Sequence, residues 1–483
     1  MLYCLMPEIF LSVVTCIIIG VGCFFTKFEG KVSQVKKINY LTALSFVFAA
    51  ILLNYVGDFN QVLISSDLLI SNNSIVIIKT VLLISSAIIL ILPNNIYDFE
   101  FSQLVLLATL GMMLLISSND LIMLYLAIEL ISLSSYVLAT IRTNSQHSTE
   151  AGLKYFLLGA LTSGLLLFGM ALLYAFTGET NLINIANILW YTQYETQIAF
   201  AVLFIFVALL FKLAAAPFHM WLPDVYEGSP TIVTAYFAIV PKIAILFTLI
   251  NLTVNIFVPL QVYLIPLFIS TAVASIFVGA IGAINQSKIK RLVAYSAILN
   301  IGWMIIAFIP LSINSMQAVF VYILLYIVMS INLFTLLLNF NQYNYITQFS
   351  ALSRYNPVLA YTFAFTLLSI AGIPPLAGFF SKFLVLFNAI QNEYYFLSFI
   401  AIIASAISTF YYLRIIKFIF FKDSQYFYYK HLNDLIYPLN NNINLSFVSS
   451  IVLGATTWII ITFFFFPDTL LFTTFISLNH SFI

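Results

Sequence analysis

Charge is what this chain has least of. Asp, Glu, Lys and Arg together make up 7% of its 483 residues, against roughly 25% in soluble domains. That shortage leaves no room for a large water-facing domain. The formal net charge of +1 offers no basic surface, so nucleic acid is not an expected partner. Cysteine is nearly as scarce. Cys4, Cys16 and Cys23 lie in or beside the first apolar run, form no CxxC pair and have no histidine nearby. They read as lipid-facing or packed thiols rather than a disulfide, iron–sulfur or zinc site. The four histidines, His147, His219, His431 and His480, are too scattered to suggest a metal or haem site. Neither GxGxxG nor GxxxxGK[ST] occurs. No redox centre, metal or phosphate site is therefore expected on the chain itself, and its energy input has to come from partners or from an ion gradient.

What is present is hydrocarbon. Hydrophobic residues make up 63%, and the mean hydropathy is +1.07. The 48 Phe and 28 Tyr, with many Ile and Asn, share AT-rich codons, as in an organelle genome. The first apolar run, residues 9–25, has no Lys or Arg before it and carries Glu8 instead. It reads as a retained span rather than a signal peptide.

A membrane span needs about 20 apolar residues. That ruler finds roughly fourteen segments, near 8–25, 40–56, 76–92, 101–117, 120–140, 151–176, 198–222, 230–252, 260–283, 289–309, 316–340, 357–389, 396–420 and 446–466. The expected fold is an all-α polytopic membrane protein. Loop charge supports the count. Loops after odd-numbered segments hold Lys27, Lys31, Lys36, Lys37, Arg142, Lys288, Lys290, Arg291, Arg354, Lys422 and Lys430. Loops after even-numbered segments hold Asp58, Asp67, Asp120, Glu179, Glu195 and Glu393. By the positive-inside rule the odd loops face the cytoplasm or matrix, and both termini face the other side.

Few charges lie within the segments. Lys79, Arg414 and Lys417 sit near segment ends and are expected to snorkel. Lys154 is one turn into segment six, within reach of the interface. Glu129, Lys212, Lys242 and Lys382 remain. A charge at the bilayer centre costs roughly 3 kcal/mol on insertion scales, so each is a candidate functional group. Glu129 reads either as a structural counter-charge for a lysine or as a proton site. Burial raises a carboxyl pKa and a nearby lysine lowers it, so a Glu129–Lys212 pair that can approach and separate is a two-position charge switch. Lysine suits that task because burial brings its pKa toward neutrality. The alternative for Lys212 is a neutral, packed side chain.

Two lysines lie beside proline breaks. FKLAAAPFHMWLPDVYEGSP, residues 211–230, holds Lys212 and is expected to break at Pro217 and again at Pro223. LLSIAGIPPLAGFFSKFLVLF holds Lys382 after Gly372, Pro374 and Pro375. Lys242 directly follows Pro241. The broken segments, seven and twelve, lie five apart. An odd offset reverses the direction of crossing, which is the mark of an inverted repeat. The expected organisation is three N-terminal helices in 1–98, five-helix repeats in 99–253 and 254–422, and a loop with a final helix in 423–483. The match is imperfect, since Lys212 precedes its break and Lys382 follows its own. His219, Ser296, Asn300, Ser330, Asn332 and Ser405 are candidate relay groups, or else simple helix-packing hydrogen bonds.

KLAAAPFHMWLPDVYEGSPT resembles the signature of the antiporter-like, proton-pumping membrane subunits of respiratory complex I and their antiporter relatives. EAGLKYFLLGALTSGLLLFG at 150–169, NQSKIKRLVAYSAILNIGW at 285–303 and LLSIAGIPPLAGFFSKF at 367–383 agree. The likeness runs from about residue 100 to 420. It implies proton translocation through Glu129, Lys212, the central Lys242 and the terminal Lys382, with Lys154 in a lesser role. Where this family often carries histidine, the chain has Asn300, which cannot take up a proton. The resemblance implies NADH, FMN, iron–sulfur clusters and ubiquinone in partner subunits, with other complex I membrane subunits and lipids as neighbours. It also implies a multi-pass place in the mitochondrial inner membrane, both termini toward the intermembrane space. The VPK around Lys242 favours the mitochondrial form over the chloroplast one. Two alternatives stand beside this reading: a cation/proton antiporter component with no redox partner, and a structural subunit that has lost its proton path.

Overall fold

The computed structural model describes residues 2–25, 31–55, 62–65, 67–93, 98–191, 195–340, 344–350, 352–421 and 445–482. Lys27, Asp58, Lys422, Lys430 and His431 lie outside the described residues. In chain order the helices are α1 (Met6–Phe25), α2 (Lys31–Tyr55), α3 (Asn73–Ile91), α4 (Glu100–Ser117), α5 (Leu121–Ala139), α6 (Gln146–Thr177), a short α7 (Leu182–Leu189), α8 (Glu195–Leu213), α9 (Trp221–Gly228) and α10 (Thr231–Asn251). They continue with α11 (Gln261–Ile284), α12 (Ile289–Phe308), α13 (Ile313–Asn339), the one-turn α14 (Leu352–Tyr355), α15 (Pro357–Ala371), α16 (Ala377–Gln391), α17 (Tyr395–Phe421), α18 (Phe447–Thr462) and α19 (Asp468–Phe482). A hairpin of β1 (Val62–Ile64) and β2 (Leu69–Ser71) joins α2 to α3.

Eleven described helices are long and apolar enough to cross a membrane, and four shorter apolar ones accompany them. Each of the fourteen apolar segments falls on one of these or on a broken pair. Hydrocarbon forces a chain to satisfy its backbone within each segment, which is why apolar runs and helices coincide. The sequence reading missed α7 and α19. The first is eight residues long with an amphipathic face, burying Leu182, Ile185 and Leu189. The second mixes polar and apolar residues.

The centre is formed by α10, α12 and α13, which are buried on nearly every side. Helices α6, α11 and α17 turn more than half of their residues outward, as apolar helices do against lipid.

One packing pattern occurs twice. Helix α4 lies on α5, α5 on α6, α6 on both α8 and α9, and α10 closes the group against α4 and α8. Likewise α11 lies on α12, α12 on α13, α13 on both α15 and α16, and α17 closes against α11 and α15. A small backbone pairing repeats with it. Asp120, at the α4–α5 turn, bridges to Asn181 just after α6. Lys288, at the α11–α12 turn, bridges to Tyr345 beyond the end of α13. The two groups meet where α10 packs on α13 and α9 on α12.

Two expectations about terminal charges are corrected. Lys79 does not snorkel: it is buried, and its Nζ donates to Glu8 Oε1 at 2.5 Å, tying α3 to α1. Arg414 is fixed rather than free. Its guanidinium donates to the carbonyls of Ile284 at 2.6 Å and Gln286 at 2.7 Å. Those carbonyls end α11 and lack helical partners of their own.

Candidate functional site

The first break follows from local geometry. Helix α8 ends at Leu213, and Ala214 adopts φ 61°, a left-handed conformation that stops a helix. The orphan carbonyls are then met one by one. Ala215 N–H donates to Leu210 O at 3.0 Å, Ala214 N–H to Phe211 O at 2.9 Å, and the indole Nε1–H of Trp221 also to Phe211 O at 3.0 Å. Pro217 lies in the break. Pro223 does not; it sits in the first turn of α9, where a missing N–H costs nothing.

The second break is formed differently. Gly372 closes α15 with φ +88°, a conformation open to glycine. Pro374 and Pro375 fill the gap, and α16 starts at Ala377. The side chain of Lys382 reaches back across it. Its Nζ donates to Ile370 O at 3.0 Å and Ala371 O at 2.8 Å, and stands 5.4 Å from the centre of the Trp303 ring. A β-carbon on Gly372 would lie 2.8 Å from Lys382 Cδ. The apparent mismatch between the breaks is resolved here. Lys212 lies in the last turn of α8, and the Lys382 ammonium occupies the end of α15. Both serve the C-terminal, negative end of a first half-helix.

Lys242 is buried on α10, one residue after the intrahelical Pro241. Its Nζ donates to Tyr326 Oη at 3.1 Å. Lys212 Nζ is 3.3 Å from Tyr136 Oη. A cavity separates these two lysines. It is lined by Ser132, Ser135, Tyr155, Trp221, Pro241 and both lysine side chains, among others. It offers about 20 Å³ to the centre of a water-sized sphere, enough for one ordered water.

Glu129 is half-buried, takes a hydrogen bond from Ser132 Oγ at 3.2 Å, and leaves Oε1 without a partner. Among the described ion pairs none joins Glu129 to Lys212. Tyr136, on the glutamate's own helix, contacts the lysine instead. The hydroxyl of Tyr136 fits only because residue 159 is glycine: a β-carbon there would be 1.9 Å from the oxygen. Tyr136 packs edge-on against Tyr155, and Tyr155 stacks on Trp221 at 4.6 Å.

Lys154 belongs to a separate, part-exposed network. Its Nζ contacts Asp224 at 2.9 Å and Glu150 at 2.8 Å. Arg291 reaches Asp224 at 3.5 Å and Glu227 at 3.3 Å, and Lys288 pairs with Glu227. Lys290 donates to Ser229 O at 2.9 Å. The network binds α9 to α6 on one side and to the start of α12 on the other.

Of the lesser candidates, Asn300 accepts from Tyr322 Oη at 3.0 Å. Ser296, Ser330 and Ser405 bond their own helices. His219 and Asn332 are buried; His219 Nδ1 and both amide atoms of Asn332 have no hydrogen-bond partner among the described residues. Among the described residues no group of three or more His, Cys, Asp or Glu could hold a metal. Cys4 is buried and Cys16 exposed, both as free thiols. Sequence reasoning missed Tyr136, Tyr326 and Trp303. In a chain with 28 tyrosines, identity does not mark which ones face a lysine.

Fold and site together define a polytopic membrane protein with two interrupted helices and lysines buried within it at positions 242 and 382. Residues 118–408 match the family model described as the NADH:quinone oxidoreductase/Mrp antiporter transmembrane family. The chain is similar to NADH-ubiquinone oxidoreductase chain 2 of Marchantia polymorpha, at 41% identity over 82% of this chain and 84% of that one. It is similar to NADH-quinone oxidoreductase subunit N 1 of Rhizobium meliloti, at 44% identity over 62% of this chain and 64% of that one. In structure it is similar to a chain of respiratory complex I from Thermus thermophilus, with TM-score 0.79 and 28% identity, covering 96% of this chain and 98% of that one. The chain belongs to this family, as a membrane subunit of NADH:quinone oxidoreductase, respiratory complex I.

Proposed function

We propose that this subunit moves protons along Glu129, Lys212, Lys242 and Lys382, driven by electron transfer from NADH to ubiquinone in other subunits. NADH, FMN, iron–sulfur clusters and ubiquinone belong to those partners. The subunit sits in the mitochondrial inner membrane beside other antiporter-like subunits, with both termini toward the intermembrane space. The repeated helix neighbours and the paired bridges at Asp120–Asn181 and Lys288–Tyr345 support two inverted five-helix units, 99–253 and 254–422. The 1–98 helices precede them, and 423–483 closes the chain.

The observation that carries the reading is the small cavity lined by both Lys212 and Lys242. A water there joins two amines on adjacent helices. A charge arriving near Glu129 changes the field on Lys212 and pushes its proton toward Lys242, then on toward Lys382. Carrying one charge across 100 mV takes about 2.3 kcal/mol, which a pKa swing of roughly two units supplies. Lys154 stands off this line and acts through Asp224.

The test is NADH-driven proton translocation by the assembled complex carrying Lys212→Met or Lys382→Met. At least a tenfold loss is expected, with normal assembly. Translocation at the parental rate in both variants would leave a structural subunit.

A further inference from the structure

The lysine axis has a gap between Lys242 and Lys382. Helix α13 holds no charged residue or histidine, and neither does α12 beyond Arg291. Buried phenols occupy the space instead. Tyr322 and Tyr326 stand at i and i+4 on α13 and so share one face. Tyr326 Oη receives Lys242 Nζ–H at 3.1 Å, and Tyr322 Oη donates to Asn300 Oδ1 at 3.0 Å. On α17, Tyr411 and Tyr412 are fully buried with ring centres 4.4 Å apart. Phenylalanine occurs 48 times in this chain and would fill the same volumes. An oxygen kept in such a place calls for polar company, since a buried hydroxyl without it is costly.

We propose that Tyr326 takes the proton leaving Lys242, and that Tyr322, held by Asn300, positions the next acceptor. This rests on the lysine relay above. In the hop, an N–H bond of the Lys242 ammonium breaks as an O–H bond forms on Tyr326. The phenol's own O–H proton passes at the same time to an ordered water, which carries it onward toward Lys382 as hydronium. Lys242 ends as a neutral amine, Tyr326 ends as a neutral phenol, and one proton has moved. Asn300 cannot carry a proton. As an acceptor it turns the Tyr322 hydrogen toward itself and leaves the oxygen lone pairs open to the incoming donor.

The experiment compares Tyr326→Phe, Tyr326→His, Tyr322→Phe and Lys242→Met in the assembled complex, reading the rate of NADH-driven proton translocation. Tyr326→Phe is expected to be at least fivefold slower. Tyr326→His, which restores a group able to accept and release a proton, is expected to recover half or more of the rate. Tyr322→Phe is expected to fall between the parent and Tyr326→Phe. A parental rate for Tyr326→Phe, with Lys242→Met impaired, overturns the phenol step and leaves the lysine relay standing. A parental rate for Lys242→Met overturns both. A histidine variant no faster than the phenylalanine one reduces Tyr326 to packing and overturns the step. Should Tyr326→Phe fail to assemble, Tyr326→Gln replaces it: glutamine bonds hydrogen but does not titrate, and equal rates for Gln and His overturn the step.

Discussion

Lys212 and Lys382 meet the membrane in different ways, although each marks the end of a half-helix. Lys382 is held by two backbone carbonyls and an indole face. Lys212 has one phenol and a cavity. Lys382 thus has more hydrogen-bond acceptors than Lys212, and in the proposed relay Lys212 is the natural place for a change in field to act. Tyr136 contacts Lys212, and the absence of a β-carbon at Gly159 leaves room for its hydroxyl. Gly159→Ala is therefore expected to displace the hydroxyl and slow proton translocation several-fold while assembly holds. Gly164, on the same helix, has nothing within 4 Å of its missing β-carbon, so Gly164→Ala serves as the control. Equal rates for the two variants would mean that the Tyr136–Lys212 contact has no part in transport.

The broken helices were legible in large part. Pro217, Gly372, Pro374 and Pro375 name their breaks because each removes a donor or adopts a backbone form that a helix cannot continue. Pro223 misled, because a proline in a first turn and a proline in a break look alike until the helix start is known. Lys79 and Arg414 misled for another reason. A cation near a span end looks free to reach water, yet their partners, Glu8 and Ile284, lie 71 and 130 residues away. Pairings of that range depend on packing, which hydropathy does not encode. The same holds for Tyr136, Tyr326 and Trp303. Trp221 is the element-level test. Trp221→Phe keeps the ring on Tyr155 but leaves Phe211 O with Ala214 N–H as its remaining donor, at a cost of about 0.5–1.5 kcal/mol. A lower temperature for loss of NADH-driven pumping, with normal activity in the cold, is the expected outcome.

At the scale of the molecule, one pattern of helix neighbours occurs twice, and α1, α2 and α3 pack beside the first occurrence. The Glu8–Lys79 pair holds that trio together by tying α1 to α3, and Glu8 Oε2 has no partner among the described residues. Lys79→Met should strand the carboxylate, costing roughly 3–5 kcal/mol as for other broken buried pairs. Glu8→Gln in the same chain should restore most of the loss. Yield of assembled complex on a native gel reads both, and no rescue by the second change would show that the pair is not coupled. The network around Asp224 and Glu227 has a mechanical corollary. Helix α9 is pinned by acid–base contacts to α6 in one group and to α12 in the other, so it behaves as a drawbar between two carriages. A displacement of α9 is therefore shared with α6 and α12 alike, through Asp224 and Glu227.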